Sequence, residues 1–292
     1  MNPHNVALFV TCLVDFHRPN VGFATISLLE SAGCAVTVPT SQTCCGQPAY
    51  NSGDNKTTLA IAKQTIEAFE SFDYVVAPSG SCAAMIKVHY VELLESEPAW
   101  AARAQELSSK TYELTQFLAD VLNYMPQPEA FNAKVTYHDS CSGLRELGIK
   151  QQPRKLLENV AQLNLSEMDD TDVCCGFGGT FCVKYPDIST RMVSDKIALA
   201  KVTGADVLLG GDLGCLLNIA GRASRIEQPL RVYHVAEVLA GMTQEAAIGE
   251  KNANVARNDL AENNRAENNR VKNNQAQNGT STQSDSGANT SD

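Results

Sequence analysis

The cysteines of this chain constrain its fold more than any other feature, and their order matters more than their number. Cys12 stands alone; 31 residues separate it from the triplet Cys44-Cys45-Gly46, and 36 separate Cys45 from Cys82. Cys141 again stands alone; 32 residues separate it from Cys174-Cys175-Gly176, and 39 separate Cys175 from Cys215. Eight of the 10 cysteines therefore repeat one plan: single, pair with glycine, single. Self-similarity of this kind marks the duplication of one structural unit. Each unit has to fold so that three distant points of the chain meet.

Short β-rich runs alternate with helical stretches. Residues 6–10, 36–38, 74–77, 135–137, 207–209 and 232–233 read as strands, mostly buried on both faces. Helical candidates span 23–32, 56–71, 82–95, 99–123, 153–161, 186–202 and 215–223. This alternation predicts an α/β fold: two duplicated halves, each a largely parallel sheet flanked by helices, related by pseudo-twofold symmetry. Pro126 and Pro128 mark the linker, giving a first repeat domain at 1–127 and a second at 128–245. From 246 to 292 the composition shifts, and Ala261 to Arg265 is repeated at Ala266 to Arg270 as Ala-Glu-Asn-Asn-Arg. That segment is expected to be a disordered Asn-rich tail.

The cysteines fall where an open α/β sheet holds its ligands. Cys12, Cys82, Cys141 and Cys215 lie just past strand ends or at helix starts, and the carboxyl ends of strands form the ligand crevice in such sheets. Helix N-termini lower thiolate pKa, and the glycine after each pair permits positive φ and close backbone approach. Cys12, Cys44, Cys45 and Cys82 should converge as one set of thiolates, and Cys141, Cys174, Cys175 and Cys215 as another. Four cysteine thiolates are the usual complement of an iron–sulfur cluster, so two clusters of the [4Fe-4S] type are expected. Structural zinc sites also take four cysteines but display short C-x₂₋₄-C knuckles, which this chain lacks. Zinc in one half and thiol chemistry stay open as alternatives.

Composition excludes several functions. With 23 basic against 33 acidic residues the net charge is −10, the wrong sign for a nucleic-acid binder. No apolar run approaches the roughly 18 residues of a transmembrane segment. Residues 1–6 carry no basic region before their short apolar stretch, so no signal peptide is expected. A cytoplasmic location follows as the expectation, with any attachment to the inner membrane face made through partners. Gly176-Phe177-Gly178-Gly179 is not a dinucleotide fingerprint, because Phe181 holds the third-glycine position. There is no Walker lysine, no G-x-S-x-G elbow and no H-E-x-x-H.

The doubled pattern resembles the cysteine-rich CCG domain found in heterodisulfide reductases and in the iron–sulfur subunits of glycolate oxidases. Phe9 to Cys12, Gly46 to Gly53, Pro78 to Cys82, Tyr137 to Cys141, Cys174 to Phe181 and Val235 to Leu239 more closely resemble the lactate-utilisation protein A family, over residues 5–240. The resemblance implies an iron–sulfur electron-transfer subunit of an L-lactate-oxidising complex, forming pyruvate. Such a subunit would work with a second iron–sulfur subunit and a third small subunit rather than as an autonomous enzyme. Two other readings stand beside it: a cluster-dependent thiol–disulfide or 2-hydroxy-acid oxidoreductase in its own right, or a zinc-stabilised scaffold.

In heterodisulfide reductase-like repeats the last cysteine belongs to a Cys-x-x-Cys pair, whose first position here holds Ser79 and Asp212. Loss of that thiolate favours an ordinary cube, or an oxygen ligand at one iron. His138, three residues before Cys141, is placed to donate to cluster sulfur or relay a proton. Cys182 is expected beside the second cluster or buried, and Cys34 in the core. Asp139 reads as a cap of the following turn. Arg18 and Arg145 are the available partners for a substrate carboxylate, and no catalytic residue is identified.

Overall fold

The computed structural model describes residues 3–250, and in them the chain builds one sheet twice. Strands β1 (Asn5–Leu8), β2 (Ala35–Thr37), β3 (Tyr74–Ala77) and β4 (Thr111–Glu113) pair in the order β2-β1-β3-β4. Strands β5 (Ala133–His138), β6 (Leu163–Leu165), β7 (Val207–Gly210) and β8 (Arg231–His234) pair as β6-β5-β7-β8. Every pairing is parallel. The β3 and β7 segments Val75-Val76-Ala77 and Val207-Leu208-Leu209 are fully buried, as central strands covered on both faces require. Strand order reverses between the two central strands of each sheet, and the crevice at their carboxyl ends is where the single cysteines emerge.

The flanking helices are α1 (Cys12–His17), α2 (Pro19–Ser31), α3 (Asn55–Phe69), α4 (Gly80–Ala84), α5 (Tyr90–Leu94), α6 (Pro98–Lys110), α7 (Cys141–Arg145), α8 (Gln151–Leu157), α9 (Pro186–Val202), α10 (Leu213–Arg225) and α11 (Val235–Leu239). A π-helical turn, Met85–His89, joins α4 to α5. The duplication extends to buried faces. Helix α3 buries Thr58, Ala62, Thr65, Ile66 and Phe69, and α9 buries Ser189, Val193, Lys196, Ile197 and Ala200. The two stripes have identical spacing, one helical face turned to the core.

Apolar packing is continuous across the linker. Val6, Val76 and Leu114 share one buried cluster with Tyr137, Leu209 and Val235, and residues through Gly249 form one compact unit. Arg18, buried at the end of α1, donates from Nε to Glu237 Oε1 at 2.9 Å and from its terminal nitrogen to Ala246 O at 2.7 Å. The stretch 246–249, which the composition assigns to the tail, is part of this unit. Ala247 and Ile248 are buried, and Ile248 N donates to Val232 O at 2.8 Å. The rest of the expected tail, 251–292, lies outside the described residues.

The expected helix over 99–123 is interrupted by β4. Thr111 and Tyr112, β-branched and aromatic, suit a strand and extend the sheet beside Val75 and Val76. Glu113 then starts the next turn, its Oε2 accepting from Thr115 N and Gln116 N. The short strand β6 is likewise absent from the sequence expectation. Among the described residues no helix is long and apolar enough to cross a membrane.

Candidate metal centres

Each single cysteine sits in the first turn of a helix whose N-cap side chain is a short oxygen acceptor. Thr11 Oγ1 accepts from Val14 N at 3.4 Å ahead of Cys12, and Ser140 Oγ from Gly143 N at 3.2 Å ahead of Cys141. Ser79 Oγ accepts from Cys82 N at 3.3 Å, and Asp212 Oδ1 from Gly214 N at 3.2 Å ahead of Cys215. These caps fix the strand-to-helix turns that aim the thiols inward. Gly46 and Gly176 follow the cysteine pairs with φ of 84° and 81°. A side chain at Gly176 would also press its Cβ to 2.8 Å from Ser189 O.

The structure brings each set of cysteines together. In the first, Cys12 Sγ lies 3.7 Å from Cys44 Sγ and Cys45 Sγ lies 3.5 Å from Cys82 Sγ. In the second, Cys141, Cys174, Cys175 and Cys215 line one cavity, and the sulfurs of Cys175 and Cys215 lie within 4.8 Å of each other. Each set has a buried pair, Cys45 with Cys82 or Cys175 with Cys215, and a half-buried pair, Cys12 with Cys44 or Cys141 with Cys174. Thiols this close cannot all ionise unaided, because each thiolate opposes the next. Hydrogen bonds from Cys12 and Cys45 hold Cys44 down to about 3. Cys12 and Cys45 are correspondingly pushed up, chiefly by their bonds to Cys44 and by burial. Cys141 is raised by its bond to Cys174 and by burial. At Cys215 the bond to Cys175 lowers the pKa, but burial and the Asp212 carboxylate outweigh it, to about 11. Thiolates crowded like this are a donor set for soft metals, whose charge relieves the repulsion.

The two sets face one another across the boundary between halves. A cavity of about 120 Å³ lies at the first set and one of about 160 Å³ at the second, and both are walled by Gln47, Ser81, Phe177, Gly179 and Asp212. Gln47 and Phe177 occupy the same position, directly after the glycine of each triplet. The positions of the missing fifth cysteines meet here. Asp212 Oδ2 accepts from Ser79 Oγ at 3.0 Å and from Ser81 N at 2.9 Å. Both residues thus act as caps and as a clasp between the halves.

The lining is not symmetrical. His138 is buried, neither ring nitrogen has a hydrogen-bond partner, and its nitrogen and the sulfurs of Cys175 and Cys215 lie within 4.8 Å of one another. Burial and the charge of Lys196 hold its pKa down to about 3, so the imidazole is neutral. Cys182 is half-buried and its Sγ bonds to Gly179 O at 3.7 Å, while Cys34 is buried in the core. Asp139 does not cap the turn, a role Ser140 takes; it forms a two-point ion pair with Arg154 at 2.8 and 3.0 Å. Arg18 is committed to Glu237 and Arg145 bonds Asp172 O, and neither lines the two cavities.

Two buried ionisable residues carry no sequence mark. Glu113 Oε1 has no partner, and burial raises the carboxyl to about 7. It borders a cavity of about 20 Å³ with Tyr137, Ser140 and Gly211, room for one water. Lys196 is fully buried, its Nζ donating to Asp170 O at 2.9 Å and Thr171 O at 3.1 Å.

Fold and thiol sets define the class: a doubled cysteine-rich domain. The profile of the cysteine-rich domain (CCG) matches residues 6–87 and 135–220, the stretches that hold the two sets. Lactate utilization protein A of Halalkalibacterium halodurans is 52% identical over 234 residues, covering 80% of this chain and 96% of that protein. Lactate utilization protein A of Bacillus pumilus is 49% identical over 234 residues, covering 80% and 98%. A solved structure of a hypothetical protein from Helicobacter pylori aligns over 86% of this chain with a TM-score of 0.61 and 14% identity. This chain spans 50% of that one, and the likeness concerns the fold. The chain belongs to the cysteine-rich CCG domain family and, within it, to the lactate utilization protein A family.

Proposed function

We propose that this chain is the iron–sulfur electron-transfer subunit of a complex that oxidises L-lactate to pyruvate. The observation that carries the reading is the pair of four-cysteine sets facing one another across shared walls. Cys12, Cys44, Cys45 and Cys82 would hold one [4Fe-4S] cluster, and Cys141, Cys174, Cys175 and Cys215 the other. When bound, each cluster supplies a one-electron donor and acceptor. The protein's own part is to bury one thiol pair of each set, fix all four turns with caps, and hold the sets adjacent through the Ser79–Asp212 clasp. With no dinucleotide fingerprint in the sequence and neither arginine at the cavities, substrate oxidation falls in this reading to partners, a second iron–sulfur subunit and a third small one.

Anaerobic purification with iron, sulfide and zinc assays tests this, and about eight irons per chain are expected from two four-iron clusters. Lactate-to-dye reduction should be absent from the isolated chain and present in the reconstituted complex. Full turnover by the isolated chain would refute the relay reading. One observation favours a second reading. Sulfur contacts of 3.5 and 3.7 Å approach the edge of about 3.8 Å expected around one tetrahedral zinc with bonds of about 2.3 Å. Stoichiometric zinc without sulfide would establish it.

A further inference from the structure

Resting on the reading that both centres hold redox clusters, we infer that His138 and Lys196 make the second centre the higher-potential one, so that an electron passing through the chain settles there. The halves can be compared position by position. His138 pairs with Gly210 in the sheet and stands three residues before Cys141. Phe9 continues β1, its N donating to Val76 O, and stands three residues before Cys12. Both are buried. One centre is therefore backed by a hydrocarbon ring and the other by an imidazole. With no protein partner for either nitrogen and two ligand sulfurs close by, the centre itself is the acceptor left for the His138 N–H.

Helices α3 and α9 show the second difference. Lys196 occupies the place in the buried stripe that Thr65 holds in the first half. Its charge acts on Cys174, Cys175 and His138. Thr65 is neutral and lies 3.3 Å from Tyr90 OH, which bonds Cys45 O. The charges acting on Cys12 and Cys45 are other thiolates. Of the acidic groups nearby, Asp139 is paired with Arg154 and Asp172 is exposed; Asp212 borders both cavities, and its carboxylate acts on Cys141 and Cys215 and offsets part of the Lys196 charge.

Adding an electron makes a centre more negative, and a fixed cation or an N–H donor in a low-dielectric site stabilises that state. The step is a one-electron exchange: the first centre is oxidised by one electron, the second reduced by one, and no bond breaks. His138 and Lys196 are positioning residues here, acting on the potential through field and hydrogen bonding.

The test is a redox titration followed by electron paramagnetic resonance on the full iron-loaded chain, with Cys45→Ser and Cys175→Ser each leaving one centre so that midpoints can be assigned. Wild type should titrate in two steps, the higher belonging to the centre that Cys45→Ser leaves. His138→Phe, which copies Phe9, and Lys196→Met should each lower that midpoint and leave the other in place. His138→Gln, which keeps an N–H donor, should restore much of the loss, and nitrogen modulation on the second centre should vanish in His138→Phe. Coincident midpoints in an iron-loaded wild type, or unmoved midpoints in both loaded variants, overturn this inference alone. A chain that binds no iron overturns the functional reading and this inference with it.

Discussion

Replacing Glu113 by glutamine should change how stability depends on pH. The carboxyl is buried, and its pKa rises from 4.5 to about 7 because burial disfavours the ionised form. The folded chain therefore keeps this proton over a range where the unfolded chain has released it. Below about pH 4.5 the group costs nothing; between about 4.5 and 7 stability falls with rising pH; above that the penalty is constant. Moving the carboxyl from 4.5 to about 7 costs about 3 kcal/mol in full. Glutamine keeps an oxygen for the Thr115 and Gln116 N–H groups but cannot ionise. Measured by calorimetry on the metal-loaded chain, Glu113→Gln should gain on wild type as pH rises from 5 to 8. About 2.5 kcal/mol of that cost falls between pH 5 and 8, so the gain should be about 5–10 °C in melting temperature for a fold of this size. A difference between the two proteins that stays the same at both pH values would refute the assignment of a buried, proton-holding carboxyl.

Cys45→Ser and Cys175→Ser should each remove about half of the bound metal, whereas Cys34→Ser, whose sulfur lies in the apolar core, should leave metal content intact by elemental analysis. Arg18→Met strands the buried Glu237 carboxylate and should cost about 3–5 kcal/mol in denaturant unfolding. Gly176→Ala forces an unfavourable φ and a clash with Ser189 O, so metal bound by the second half should fall while the first half keeps its share. A chain ending at 249 should melt like the full protein, but one ending at 245 should melt lower, having lost the buried Ile248 and the carbonyl that Arg18 binds.

Local features carried far in the sequence. The cysteine plan, the glycines of the two triplets and the β-rich runs are short-range marks, and they located six of the eight strands among the described residues and the cysteines that the fold brings together. Strands β4 and β6 escaped because three residues show no period, and a helical pattern spanned the first of them. Ser79 and Asp212 were visible as residues that replace a cysteine, yet the bonds of their clasp join positions 133 and 131 residues apart. Nothing in the sequence sets Lys196 or Glu113 apart from other charged residues. Only tertiary packing buries them, and no window of sequence reports that.

The clasp at the centre of the molecule bears on how such a chain can have arisen. Two identical subunits meeting about a twofold axis must oppose each residue there to itself. Serine against serine would leave the Ser81 N–H without its carboxylate, and aspartate against aspartate would set two negative charges in contact. Ser79 facing Asp212, one donating and the other accepting, is open only to copies that have ceased to be identical. The fused chain gains a polar axis that no symmetric ancestor could hold, and the same freedom to differ is what allowed Phe9 and His138 to part ways.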